Sequence, residues 1–84
     1  MRLAQLVANV KSKNDLSAFV VALRDDLRMN PDEWENLSLD EFLSAMADWV
    51  EAMEQCYRNT GRSMPESPTW QMFADILYAS KIYE

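Results

Sequence analysis

Apolar residues recur along the chain at intervals of three and four, the spacing that lines side chains up on one side of an α-helix. Leu3, Leu6, Val7 and Val10 begin the pattern and predict a short first helix. Leu16, Phe19, Val20, Leu23 and Leu27 continue it as one core-facing stripe of a second helix, with Ser12 or Asn14 as its cap and Asn30-Pro31 as its stop. Pro31 also suits the first position of a new turn capped by Asn30, so Asp32, Glu33 and Trp34 read as a helical turn.

The strongest local signal is Ser38-Leu39-Asp40-Glu41, a capping box that predicts the start of a long helix. Its stripe runs Leu39, Phe42, Leu43, Met46, Trp49, Val50, Met53 and Tyr57, and Asn59-Thr60-Gly61 supplies a stop. Arg58 and Arg62 suit the negative end of its dipole. Past Met64-Pro65-Glu66-Ser67-Pro68, Ser67 is expected to cap a last helix with Pro68 in the first position. Trp70, Phe73, Ala74, Leu77 and Tyr78 form one face of that helix, widened by Met72, Ile76 and Ala79.

A single glycine and the lack of alternating polar and apolar runs give a sheet little support. The expected fold class is all-α, a small compact bundle of about four to five helices with orthogonal or irregular packing, because the stripes differ in length and the connections hold proline. Residues 1–84 read as one helical domain, being too few for two separate cores.

Composition changes this picture only by exclusion. Apolar residues at 49% and charged residues at 26% are the balance of a folded protein, not a disordered one. Cys56 is the one cysteine, so no disulfide can form within the chain, and a reducing, cytoplasmic setting is expected. Gln5 and Asn9 break the apolar stretch at the start, which argues against a signal peptide. The longest apolar run, Phe19 to Leu23, is far below the roughly 20 residues of a membrane-spanning helix, so no membrane role is expected.

The net charge of −6 is unevenly placed: residues 1–24 carry +3, residues 25–54 carry −9 with Arg28 as their only base, and the rest balances to zero. A field of that sign repels phosphate backbones and steers basic proteins, so no nucleic-acid partner is expected, while a basic protein partner is. The plainer reading of these acids is solvated helix faces and favoured first-turn positions.

With no histidine, Ser-His-Asp and Cys-His arrangements are out of reach, and an enzyme is not expected. Acid pairs such as Asp25/Asp26, Asp32/Glu33 and Asp40/Glu41 diverge on a helix and mark no pocket. No calcium-loop pattern or glycine-rich phosphate cradle is present, so no metal and no cofactor are expected. Cys56 reads as a half-buried structural thiol. Trp49 and Trp70 lie on predicted stripes and read as core. Trp34, between Glu33 and Glu35, reads either as a plug for the core or as an exposed anchor for a partner.

The stretch Asn30-Pro31-Asp32-Glu33-Trp34-Glu35-Asn36 is followed by Leu39, Phe42 and Leu43, then Pro65, Pro68, Trp70, Phe73 and Ala74, and finally Ala79, Lys81, Tyr83 and Glu84. From about Ser12 onward this resembles a family of small bacterial domains of unknown function, a resemblance that implies a bacterial cytoplasmic domain and no particular activity. In size and charge the chain also resembles immunity proteins, which neutralise basic nuclease toxins by direct binding.

Two functions follow as expectations. One is a protein-binding module, such as an immunity protein, that docks a basic partner on Asp32, Glu33, Trp34, Glu35, Asp40 and Glu41. The other is a structural or homodimeric role for surplus apolar surface on the last helix, including Ile82 and Tyr83.

Overall fold

The computed structural model describes residues 3–84; Arg2, counted in the basic first block, lies outside the described residues. Four α-helices follow one another: α1 (Leu3–Val7), α2 (Lys13–Met29), α3 (Leu39–Asn59) and α4 (Trp70–Ser80). A 3₁₀ turn at Pro31–Glu33 lies between α2 and α3, and the described residues contain no strand. The fold is all-α.

Side chains set where the helices begin. Ser12 Oγ accepts from the Asp15 N–H at 3.1 Å and the Asp15 carboxylate accepts from the Lys11 N–H at 3.0 Å, so Ser12 and not Asn14 caps α2. At α3 the capping box is complete: the Glu41 N–H donates to Ser38 Oγ at 3.1 Å, and the Ser38 N–H donates to Glu41 Oε1 at 3.2 Å. Its other end is a Schellman motif, in which the Gly61 N–H donates to the Arg58 carbonyl and the Arg62 N–H to the Tyr57 carbonyl. That geometry requires the positive φ of 73° at Gly61.

The last helix starts two residues later than its sequence suggests. Thr69, not Ser67, is the cap, its Oγ1 accepting from the Met72 N–H at 3.0 Å, and Trp70, not Pro68, takes the first position. α1 is also shorter than expected, and Val10 reaches the core beyond its end. Gln71 ties that segment down: its Oε1 accepts from the Val10 N–H, and its Nε2 donates to the Val7 carbonyl and to Asp75.

α4 is the central element. Toward α1 and α2 it contributes Ala74, Leu77 and Tyr78 to a cluster with Val7, Val10, Phe19, Leu23 and Trp34. Toward α3 it contributes Met72, Ile76 and Ala79 to a second cluster with Trp49, Met53 and Tyr57. Edge-on ring pairs at 6.4 Å (Phe19 and Tyr78) and 5.8 Å (Trp49 and Tyr57) fix the two layers. No Cα atom of α2 comes within 8 Å of one in α3.

That separation explains where the sequence stripes overstate burial. Trp49 is buried as expected, but Trp70 is 42% exposed, because it opens α4, where its ring lies 6.2 Å from that of the similarly exposed Phe73. Leu39, Leu43 and Val50 of α3, Val20 of α2 and Phe73 of α4 are exposed too. α3 buries the side that meets α4, and among the described residues no other helix packs on the adjoining one.

Candidate partner-binding site

Residues 30–38 join α2 to α3 and are fastened at several points. Trp34 is only 7% exposed: it plugs the core, stacked on Phe42 at 6.1 Å, with its Nε1 donating to Asp26 Oδ2 at 2.8 Å. The exposed-anchor reading of Trp34 is therefore corrected, since the indole needs a buried acceptor and finds one on α2. Lys81 Nζ lies 2.9 Å from the same carboxylate oxygen and 5.6 Å from the Trp34 ring centroid. Asn30 does not cap the 3₁₀ turn through its side chain, which instead donates to Asp26 Oδ1 at 3.1 Å.

Burial alone would raise the Asp26 carboxyl; the hydrogen bonds from Lys81, Trp34 and Asn30, with the Lys81 charge, outweigh it and hold the group below its usual value. A second set of bonds ties the connection to the end of the chain. Asn36 Nδ2 donates to the carbonyls of Ser80 at 3.0 Å and Tyr83 at 2.9 Å, and the Lys81 carbonyl accepts from the N–H groups of Glu35 and Asn36. Two stretches far apart in sequence, Asn30–Asn36 and Ala79–Glu84, thus form one clamp.

The acids singled out in the sequence hang from this frame. Asp32, Glu33, Glu35, Asp40 and Glu41 are all exposed, and none makes an ion pair among the described residues. Glu41 is engaged in the capping box. Asp26 belongs to the inside, Asp25 meets Arg24 at 3.2 Å, and Glu54 meets Arg58 at 3.8 Å. The structure places the five carboxylates in the connection and the first turn of α3, apart from the Trp34 indole buried beneath them.

One feature was not visible in the sequence. Between α2 and α3 an open cleft of about 320 Å³ is lined by Val20, Leu23 and Leu27 on one wall, Leu39 and Phe42 on the other, and Leu77, Trp34 and Leu37 at its base and end. Leu37 and Leu39 are 53% and 73% exposed. The signal that could have found it is the width of the α3 stripe, more apolar residues than one neighbouring helix can cover.

At the other end of α4, Asp75 gathers Tyr57 Oη at 2.8 Å and the Arg62 guanidinium at 2.7 Å, while Arg62 lies over the Tyr57 ring at 4.7 Å. Burial first, then the carboxylate it donates to, push the Tyr57 phenol well above its usual value, with Arg62 pulling the other way. This network joins α3 to α4, and its Arg62 and Asp75 line an open pocket of about 370 Å³ with Val7, Ala8 and Gln71. Among the described residues no three Cys, Asp or Glu side chains are grouped to hold a metal ion, and no helix is long and apolar enough to cross a membrane.

Fold and surface together define a small all-α domain with a carboxylate-rich end and an open apolar cleft beside it. The chain belongs to DUF7660, a family of unknown function whose profile matches residues 12–84. The match begins at Ser12, the cap of α2, so α1 falls outside it. No curated protein and no solved structure matches the chain.

Proposed function

We propose that this domain is a protein-binding module that receives a basic partner surface on the acidic end formed by residues 30–41. The observation that carries the reading is five exposed carboxylates, Asp32, Glu33, Glu35, Asp40 and Glu41, in a segment without lysine or arginine, on a backbone held by Trp34 and Asn36. Charge fixed in place before binding steers a partner and loses little freedom when it docks. A basic nuclease toxin, with this domain as its immunity protein, is the form of the reading that its size and its charge of −6 support. The role is one of binding and not catalysis.

The test is capture of a partner from a lysate of the source cells on the immobilised domain, its identification, and reassembly of the pair from purified components. Reversal of Asp32, Glu33 and Glu35 to lysine is expected to slow association by about tenfold or more at low salt. Association that is indifferent both to the reversal and to ionic strength would rule the acidic end out.

A further inference from the structure

The proposed acidic-end site leaves the apolar floor of the cleft between α2 and α3 unused, and the helices on its two sides differ in charge. All three bases of α2 fall on the Val20 side of that helix: Lys13 seven residues before it, Arg24 four after and Arg28 eight after. Arg24 itself lines the cleft. On α3 the exposed residues Leu39, Leu43 and Val50, with half-buried Met46, keep helical spacing, and the outer edge of that stripe carries Asp40, Glu51 and Glu54, with Arg58 in the last turn. Arg24 and Glu54 each touch a neighbour on their own helix, in surface pairs that leave every charge at least half exposed. The α2 side is therefore basic, the α3 side acidic on balance with three acids to one base, and the floor between them apolar.

An occupant must present acids to α2 and bases to α3 at once. A basic peptide helix satisfies only one wall. We propose that the cleft takes a second copy of this chain, the two related by a two-fold axis running along the cleft. Such a rotation sets α3 of each copy against α2 of the other and keeps height along the cleft. α2 runs toward the 30–38 connection and α3 away from it. Arg24 and Arg28 then meet Asp40 of the second copy at the connection end, and Lys13 meets its Glu51 and Glu54 at the far end. A two-fold axis across the cleft would oppose like walls instead. Leu39, Leu43 and Val50, exposed in the single chain, become covered. This surface shares Asp40 with the proposed acidic-end site but does not rest on that reading, since a self-association measurement needs no other protein.

Charge swapping tests the pairing. Lys13→Glu/Arg24→Glu/Arg28→Glu makes both walls acidic, and Asp40→Lys/Glu51→Lys/Glu54→Lys makes both basic. Each swap moves the net charge by six from −6, so the mixed pair carries the same total as the wild-type pair. Sedimentation equilibrium should show a wild-type dimer below about 1 mM, at least about tenfold weaker dimers for either variant alone, and restored affinity when the two are mixed. Circular dichroism melts verify that both variants fold; Leu43→Glu, at a half-exposed position, should weaken the dimer by about tenfold without relying on either triple. A wild-type monomer up to about 1 mM, or a dimer that the swaps leave unchanged and mixing does not restore, overturns the proposal.

Discussion

Lys81→Met removes the most buried ionic contact of the clamp while leaving an apolar stem of similar length against Trp34. The lysine and aspartate side chains are 11% and 15% exposed. Breaking a fully buried pair costs about 3–5 kcal/mol because a charge is left alone in the interior. Asp26 would not be alone, since Trp34 Nε1 and Asn30 Nδ2 still donate to it, at 2.8 Å and 3.1 Å. The loss is therefore nearer that of one charged hydrogen bond, about 2 kcal/mol. With about 2.1 cal/mol/K of unfolding entropy per residue, the 84-residue chain should melt about 11 °C lower.

The pH dependence separates this cause from a packing defect. Asp26 titrates below its usual value in the folded chain, so its stabilisation is present above the ordinary carboxylate pKa of 3.8 and is lost as the pH falls through the lower folded value. Lys81→Met removes the strongest of the contacts that lower it. The stability gap between wild type and variant, measured by urea unfolding, should be widest at about pH 6–7 and narrow steadily below about pH 4. A gap under about 0.5 kcal/mol at neutral pH, or one that is the same at about pH 7 and pH 3, would refute the reasoning.

Asn36→Ala frees the carbonyls of Ser80 and Tyr83 and should cost about 2 kcal/mol in urea unfolding, with amide-exchange protection lost first at the end of the chain. Gly61→Ala meets no atom within 4 Å of the added methyl group, so only the positive φ is strained, and denaturation should show a loss of about 1 kcal/mol. Because the Tyr57 phenol is raised, the stability it contributes is intact below about pH 10 and disappears as the pH rises through its folded value. Ultraviolet titration should show one tyrosine ionising late, and that late phase should vanish in Tyr57→Phe.

Helix ends were legible where the deciding groups are neighbours in sequence. Ser38 and Glu41 satisfy each other, and Gly61 supplies a conformation that few other residues accept, so both ends of α3 follow from local chemistry. At α4 the sequence pointed to Ser67, because Pro68 after it suits a first helical position. The hydroxyl that finds a free N–H settles the matter, and it is Thr69. Burial was harder to read, because an apolar side of a helix is buried only where another element reaches it. Phe42, Trp49 and Met53 meet Trp34 or α4, whereas Leu39, Leu43 and Val50 keep the same period, stay exposed and belong to neither core cluster. Trp34 was undecidable from its acidic neighbours, because its fate rests on Asp26 and Lys81, residues that only the folded chain brings to it.

The same distant contacts account for the cleft itself. Trp34 stands where α2 and α3 would otherwise meet, bonded to Asp26 of one and stacked on Phe42 of the other, so the two helices diverge around an indole. At the far end Gln71 and Asp75 of α4 tie down the Val7–Val10 segment and Tyr57, again with no link from α2 to α3. Apart from the Trp34–Asp26 bond, the long-range polar anchors among the described residues run through α4 or the C-terminal residues after it, and none joins α2 directly to α3. Side chains on that face, Leu43 and Val50 among them, can be changed without touching an anchor, which is why a loss of association in Leu43→Glu would speak to the surface and not to the fold.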